Sequence, residues 1–117
     1  MNQKLNHLVE ALRAELQQYG EMLVRLDRHH KSVADQSRKA VCAFSGEVQL
    51  QGVAIQRARR ERDQASCELA SMLRLNTVLP VETMIPLMPE EYQPLVNELT
   101  RENRQLMEQV VESLQRK

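Results

Sequence analysis

The first part of the chain carries its hydrophobic residues at alternating spacings of three and four, the heptad pattern of helices that pack along a seam. One heptad position is occupied by Leu5, Leu12, Tyr19, Leu26 and Val33, and the second by Val9, Leu16, Leu23 and His30. Residues with this spacing lie on one side of a helix. The pattern therefore predicts a first helix over residues 3–30.

A second heptad series follows, but its hydrophobic side chains are smaller. One position is occupied by Val41, Val48, Ile55, Arg62 and Leu69, and the other by Phe44, Gln51, Ala58, Ala65 and Met72. This series predicts a second helix over residues 34–74, with a weaker seam because Gln51 and Arg62 interrupt it. Polar residues from Lys31 to Asp35 favour a turn between the helices. Since no Gly or Pro lies there, one bent helix stays an alternative.

All four prolines of the chain lie close together, at positions 80, 86, 89 and 94. Because proline breaks helix interiors, this clustering predicts a Pro-rich linker over residues 76–90. The linker also carries more large hydrophobic side chains than disordered segments usually contain: Val78, Leu79, Val81, Met84, Ile85, Leu87 and Met88. We therefore expect it to pack either on the helices or on a partner.

The chain beyond the linker predicts a third helix over residues 91–116. Its hydrophobic stripe consists of Leu95, Leu99, Leu106, Val110 and Leu114, and glutamates at positions 90 and 91 suit a helix N-terminus. The elements together predict an all-α fold for a single domain over residues 1–117. Its architecture is a long antiparallel helical hairpin or coiled coil with a third, C-terminal helix after the Pro-rich linker.

Composition and charge argue against several classes of function. The 117 residues include no Trp, two Tyr, one Phe and three Gly, which is too few for a β-sandwich or barrel. Sixteen basic residues balance sixteen acidic ones, so no chain-wide attraction to nucleic acid or an anionic membrane is expected. The charges are unevenly spread: residues 31–75 carry eight Lys or Arg against five Asp or Glu, and residues 76–117 carry four against seven. This asymmetry favours antiparallel packing of the second and third helices.

The run from Arg57 to Arg62 is the densest basic cluster and could bind phosphate. Glu61 and Asp63 dilute its charge, and no aromatic residue lies nearby that could stack on a nucleic-acid base. A solvated helix face that pairs with the acidic third helix is therefore favoured, and nucleic-acid binding is the alternative.

The sequence offers no constellation for catalysis or metal binding. His7, His29 and His30 lack partners at the spacing of a zinc site. No Gly-rich phosphate loop, nucleophile elbow or Cys–His motif is present. The sequence predicts a protein that is not an enzyme and uses no cofactor or metal.

The two cysteines and the hydrophobic runs favour the cytoplasm. Cys42 and Cys67 would be about 37 Å apart on one continuous helix, which excludes a disulfide between them. No hydrophobic run is long enough for a signal peptide or a membrane span. We therefore expect a cytoplasmic protein with unpaired thiols.

The third helix is the best candidate for a binding surface, because its hydrophobic residues occupy more than one side. Leu99, Leu106 and Val110 form one line, and Met107, Val111 and Leu114 form another beside it. A stripe this wide can pack on its own bundle and still present a face to a partner. A plain core helix is an equally weighted alternative.

Three stretches of the sequence resemble the FlgN-type flagellar export chaperones. They are Leu16-Gln17-Gln18-Tyr19-Gly20-Glu21-Met22-Leu23 in the first helix, Ile55-Gln56-Arg57-Ala58-Arg59-Arg60-Glu61-Arg62 with Leu69-Ala70-Ser71-Met72-Leu73 in the second, and Leu99-Thr100-Arg101-Glu102-Asn103-Arg104-Gln105-Leu106 in the third. The resemblance covers nearly the whole chain. Its motifs are leucine spacing, an arginine-rich stretch and an asparagine followed by leucine.

The resemblance implies a small cytoplasmic helical chaperone. Members of that family bind C-terminal helices of hook-filament junction proteins, prevent their premature assembly and deliver them to the flagellar type III export apparatus. The implied client-binding residues are Leu95, Leu99, Asn103, Leu106, Met107, Val110 and Leu114. Family members often continue into a polar tail that docks to the export machinery, and docking through such a tail is not expected here because the sequence ends at Lys117.

A homo-oligomeric coiled coil is the alternative function. In that case the same heptads would bind copies of the chain, and the protein would be a structural or adaptor protein without chaperone activity.

Overall fold

The computed structural model describes residues 2–34, 38–75 and 80–115, with side chains from residues 2–31, 45–75 and 80–115. Every regular element in those residues is helical, which confirms the predicted all-α fold. The elements are α1 (Asn2–Ala34), α2 (Arg38–Met72), a short α3 (Val81–Met84), a 3₁₀ turn (Ile85–Leu87) and α4 (Gln93–Gln115). Residues 35–37 and 76–79 lie outside the described part of the chain.

Side-chain contacts show that α1 and α2 run in opposite directions. Lys4 Nζ lies 3.4 Å from Glu68 Oε2 at one end, and Arg25 Nη1 lies 3.2 Å from Glu47 Oε2 towards the other. The turn expected from Lys31 to Asp35 falls partly outside the described residues, but α1 continues one turn beyond residue 30, to Ala34. An ion pair between Lys31 Nζ and Asp27 Oδ2, 3.2 Å apart, supports this extra turn.

The last helix, α4, lies against α1 and runs parallel to it. Tyr92 Oη donates to Asn6 Oδ1 at 3.1 Å just before α4 begins, and His30 Nε2 lies 3.2 Å from the carbonyl oxygen of Ser113 near its end. The three long helices therefore run up, down and up. Since α4 begins at the end of the bundle where α2 finishes, the linker does not have to cross the bundle.

The structure differs from the charge-based expectation for the second and third helices. Although α4 runs antiparallel to α2 in direction, none of the ion pairs among the described residues joins these two helices. The hydrophobic stripe of α4 packs along α1 instead. Exposed ion pairs contribute only about 0–1 kcal/mol, so burial of the stripe decides the neighbour.

Buried hydrophobic residues form two clusters along the bundle. The proximal cluster lies at the end with the α1 N-terminus and contains Leu5, Leu8, Val9, Ala11, Leu12, Ala65, Leu69, Ala70, Val81, Met84, Met88, Val96 and Leu99. The distal cluster lies towards the other end and contains Tyr19, Met22, Leu26, Ile55 and Val110. The bundle measures 55 × 21 × 21 Å, so these clusters follow one another along a rod.

The described part of the linker packs on the helices, which settles one of the alternatives left open by the sequence. Val81, Met84 and Met88 are buried in the proximal cluster. Prolines limit the segment to one turn of α-helix and a 3₁₀ turn. It is tied to α4 by an ion pair between Glu82 and Arg104 and by a hydrogen bond from Gln93 Nε2 to the carbonyl oxygen of Met88.

Two helix ends differ from the sequence-based bounds for identifiable reasons. The α2 helix ends at Met72 in a Schellman motif: Leu75 N donates to Ala70 O at 3.0 Å, and Arg74 N donates to Ser71 O at 3.1 Å. Arg74 takes the left-handed position of this motif, with φ 60°, where glycine is usual. The start of α4 is Gln93 rather than residue 91, because residues 89–92 form a turn closed by Tyr92 N and Pro89 O.

Candidate functional site

Two cavities open at the distal end of the bundle. The distal cleft has a volume of about 270 Å³ and is lined by Leu26, His29, His30, Ser45, Val48, Gln49, Ser113 and Leu114. A second cavity of about 330 Å³ is lined by Leu23, Asp27, His30, Gln109, Glu112 and Ser113. Because His30 and Ser113 line both, their contact forms the wall between the two cavities.

The contact of His30 with Ser113 fixes the end of α4 to α1. His30 Nε2 lies 3.2 Å from the carbonyl oxygen and 3.3 Å from Oγ of Ser113. Because a carbonyl can only accept, Nε2 carries the hydrogen in the first of these bonds. Ser113 lies in the last turn of α4, where carbonyl oxygens have no partner within the helix. His30 therefore supplies, from another helix, a partner that the helix end lacks.

The walls of the distal cleft are hydrophobic, and part of them faces solvent. Leu26 is buried in the distal cluster and Val48 is half-buried. Leu114 is 54% exposed, and Val111, in the same turn of α4, is 47% exposed. His29 lies beside this hydrophobic surface, and its Nδ1 is buried without a hydrogen-bond partner among the described residues. The arrangement can receive a hydrophobic side chain of a partner.

The structure separates the seven residues predicted to bind a client into three groups. Leu99, Asn103 and Val110 are buried, Leu106 and Met107 are half-buried against the distal cluster, and Leu95 and Leu114 are exposed. The three buried residues cannot touch a client in this conformation, because they fill the interior between α4 and the rest of the bundle. The structure therefore limits the predicted site to its exposed residues, Leu95 and Leu114, and we add the exposed Val111. Client contact at these residues stays a prediction.

Asn103 holds α4 against α1. Its Nδ2 donates to the carbonyl oxygens of Leu12, at 3.0 Å, and of Leu99, at 2.9 Å. Its Oδ1 is buried, and no described residue forms a hydrogen bond with it. A polar residue in this otherwise hydrophobic seam pairs with one backbone oxygen of α1 and so favours a single register of the two helices.

A buried polar group separates the proximal and distal clusters. Glu15 is buried, and its Oε2 accepts hydrogen bonds from Tyr19 Oη at 2.5 Å and from Arg62 Nη1 at 3.2 Å. Burial raises the pKa of the Tyr19 hydroxyl well above its ordinary value, and the hydrogen bond and negative charge of Glu15 raise it further. Arg62 balances the buried carboxylate, so this group has a structural role.

The other interruption of the α2 heptad, Gln51, is also matched by polar residues of α1. Arg25 Nε donates to Gln51 Oε1 at 2.8 Å, and Gln51 Nε2 donates to the side-chain oxygen of Gln18. Both polar positions of the second seam therefore meet polar partners. The sequence showed the two polar interruptions of the α2 heptads. It could not assign their partners, because the partner residues Gln18, Arg25 and Glu15 lie beside the heptad positions of α1.

The arginines of the run from Arg57 to Arg62 differ in their contacts, and the histidines do not form a metal site with other described residues. Arg62 forms ion pairs with Glu15 and Asp63. Arg57 and Arg60 are exposed and form no ion pair with the described residues. His7 Nδ1 lies 3.2 Å from Glu68 Oε2. Within residues 2–34, 38–75 and 80–115, no three His, Cys, Asp or Glu side chains are grouped so that they could hold a metal ion.

Comparison with known proteins adds no relative: no family model, curated protein or solved structure matches this chain. Of the helices in the described part, none is long and hydrophobic enough to span a membrane. The case for a function therefore rests on the residues of the distal end and on the motifs of the sequence.

Proposed function

We propose that this chain is a non-enzymatic chaperone that binds the amphipathic C-terminal helix of hook-associated client proteins. In the cytoplasm it prevents their premature assembly and delivers them to the flagellar type III export apparatus. The observation that carries the proposal is the exposure of Val111 and Leu114 beside the distal cleft. The resemblance to FlgN-type export chaperones supplies the class of client.

The distal cleft suits a helix whose hydrophobic residues recur at spacings of three, four and seven. One such side chain enters between Leu26 and Val48, and its neighbours one turn away cover Leu114 and Val111. Each Å² of hydrophobic surface removed from water contributes about 25 cal/mol, offset by the cost of ordering the client. Leu95 lies about 28 Å from Leu114 along α4, so a helix of about 19 residues would reach both.

The rim of the site indicates the charge of the client helix. Asp27 and Glu112 line the second cavity, and Glu108 is exposed one turn before Val111. Basic residues beside the hydrophobic stripe of the client would complement these carboxylates. Rim charges of this kind speed the encounter and select partners more than they add affinity.

Co-purification with C-terminal fragments of hook-filament junction proteins tests this proposal. The double variant Val111→Asp/Leu114→Asp is expected to lose the client, since it places two charges on the hydrophobic surface. Both side chains are exposed, so the helical circular dichroism is expected to stay at the wild-type level. Val24→Asp is the matched control, because Val24 is also 54% exposed but does not line the cleft.

Two results would contradict the proposal. One is wild-type recovery of clients by the double variant, and the other is an equal loss in the Val24→Asp control. A buried position such as Val110 is unsuitable for this test, because an aspartate there would disturb the distal cluster as well as any binding.

The homo-oligomeric coiled coil receives less support from this arrangement. The heptad residues Leu5, Leu12, Tyr19 and Leu26 are buried inside one chain, so the same seam can bind a copy only if the bundle opens. Measurement of the solution mass distinguishes the two functions. A stable oligomer in which the heptad residues of α1 pack against a second copy would favour the alternative.

A further inference from the structure

The outer side of α2 carries the two most exposed large hydrophobic residues of the described chain. Leu50 is 73% exposed and Val53 is 56% exposed. Arg57 and Arg60 continue the same line at helical spacing, are exposed, and form no ion pair with the described residues. We name these four residues the basic face of α2.

The last turns of α4 present a surface of the opposite charge. Glu108, Val111 and Glu112 are spaced as neighbours on one side of the helix, and Leu114 lies one turn beyond Val111. All four are exposed, and neither glutamate forms an ion pair with the described residues. We name these residues the acidic face of α4.

The two faces match each other in size, hydrophobicity and charge. If Val53 of one copy is set opposite Val111 of another with the helices antiparallel, Leu50 comes opposite Leu114. Arg57 then comes opposite Glu108, because it follows Val53 by four residues and Glu108 precedes Val111 by three. A parallel arrangement would set Arg57 opposite Gln115, where α4 ends, and Leu50 opposite Glu108, so neither the charged nor the hydrophobic residues would match. The antiparallel register therefore sets Leu50, Val53 and Arg57 opposite Leu114, Val111 and Glu108. Arg60 and Glu112 lie at the edges of the contact, where Arg60 comes level with Arg104, which is paired with Glu82, and Glu112 comes level with Gly52.

We propose that the basic face of α2 in one copy of this chain docks on the acidic face of α4 in a second copy. The proposed contact is heterologous: it forms once between two copies and leaves one free face of each kind on every pair. Pairs and short open chains result, rather than a closed symmetric dimer. The contact also covers Val111 and Leu114 and so competes with a client, a consequence that rests on the proposed function.

The patches are small, and their charges are exposed to solvent. The association is therefore weak and concentration-dependent. Its ionic part weakens as salt is added, because exposed charges separated by more than about 8 Å are largely screened at physiological ionic strength.

Sedimentation velocity on the whole chain tests the contact with two complementary variants. Arg57→Glu/Arg60→Glu destroys the basic face of α2 and keeps the acidic face of α4. Glu108→Lys/Glu112→Lys does the reverse. Wild-type protein is expected to rise above the 13.6 kDa of one chain as concentration increases, whereas each variant alone stays at that mass.

The decisive sample is an equal mixture of the two variants. Each variant alone carries two faces of the same charge, whereas in the mixture every contact joins a basic face to an acidic one. Association is therefore expected to return in the mixture and to grow with concentration as in the wild type. The matched control is Arg13→Glu/Arg28→Glu, which changes the net charge equally through two exposed arginines on α1. This control is expected to associate as the wild type does.

Each contrary result overturns the proposal. A wild-type chain that keeps the mass of a single chain at every concentration has no such contact. Association of either variant alone, or no association in the mixture, means that these two faces do not bind each other. An equal loss of association in the Arg13→Glu/Arg28→Glu control would show that the effect arises from net charge and not from the basic face of α2.

These outcomes are independent of client binding, because no client is present in the sedimentation experiment. Client capture is measured separately on Arg57→Glu/Arg60→Glu, which retains Val111 and Leu114. This variant is expected to recover clients at least as well as the wild type, since no second copy covers the cleft. Failure of all chains to bind clients would overturn the proposed function and leave the self-association result standing.

Discussion

The proximal and distal halves of the bundle are built from the same three long helices, yet among the described residues the linker contributes buried side chains only to the proximal half. There the linker supplies Met84 and Met88 to the space between the helices, and both side chains are buried. At the distal end no described segment plays this part, and Leu114 and Val111 stay exposed beside two cavities. The difference shows that burial of a hydrophobic stripe depends on what covers it, and not on how hydrophobic the helix is.

The same comparison explains why α4 has a wide hydrophobic stripe. Its first half is covered by α1, by α2 and by the linker, so Val96 and Leu99 become core residues. Its last turns meet α1 through His30 and leave the outer part of the stripe to solvent. One helix therefore has a first half with several core residues and a last part whose outer side faces solvent.

The largest expected effect is a difference in the cost of truncating one leucine in each half. Leu8→Ala is expected to lower the free energy of unfolding by about 4 kcal/mol, because Leu8 is enclosed on all sides. Leu26→Ala is expected to lower it by about 2 kcal/mol, because Leu26 borders the distal cleft, so the space left by truncation joins an existing cavity. Urea denaturation measures both values. Equal losses, with unchanged m-values, would contradict the contrast between the halves.

The polar group between the halves predicts the next largest effect. Arg62→Ala is expected to cost about 2–3 kcal/mol of unfolding free energy, because it leaves the buried carboxylate of Glu15 without its cation. Replacing the whole group, as Glu15→Leu/Tyr19→Phe/Arg62→Leu, is expected to restore most of this loss. Thermal denaturation of the single and the triple variant measures both the loss and its recovery. A triple variant as unstable as the single one would show that the loss has another cause.

Alkaline pH is expected to weaken the same region. Because the pKa of Tyr19 is raised in the folded chain, the unfolded chain loses this proton first as the pH rises above about 10. The free energy of unfolding then falls by up to about 1.4 kcal/mol per pH unit, and this contribution is fully present below that pH. Tyr19→Phe is expected to flatten the alkaline limb of a stability–pH curve. If the slope of this alkaline limb is the same in Tyr19→Phe and the wild type, other titrating groups cause the loss of stability.

The smallest effect concerns Gly20, which follows Tyr19 where the distal cluster begins. A Cβ at this position would meet no atom within 4 Å, so Gly20→Ala is expected to raise the free energy of unfolding by about 1 kcal/mol. The gain comes from helix propensity and leaves the distal cleft unchanged. Denaturant unfolding measures the gain, and hydrogen exchange locates it in α1. A loss of stability would show that the glycine is needed there.

Much of the fold followed from hydrophobic spacing, whereas the role of the linker did not. The heptads of α1 predicted which of its faces is buried, since Leu5, Leu12, Tyr19 and Leu26 all lie in the two clusters. The hydrophobic residues of the linker indicated packing, but spacing alone could not choose between the helices and a partner. That choice depends on where α2 ends and α4 begins, which is a property of the whole chain.

The candidate site was predicted at the level of the helix and not of the residue. Val110 and Leu114 are both hydrophobic and lie four residues apart, yet one is buried and the other is half exposed. Their fates differ because the rotation of α4 is set by its contacts with α1, through Asn103 and His30. Nothing in the spacing of α4 alone fixes that rotation.

The sequence by itself determined the helices, the polar interruptions of the second seam and the concentration of prolines in one linker. Each of these depends on local geometry and on the period of hydrophobic residues along one helix. Only the tertiary structure decided that α4 packs parallel to α1, that Met84 and Met88 are buried in the proximal cluster and that Leu114 is exposed beside the distal cleft. Those outcomes depend on which surfaces can be buried together, and that is a property of the three helices and the linker jointly.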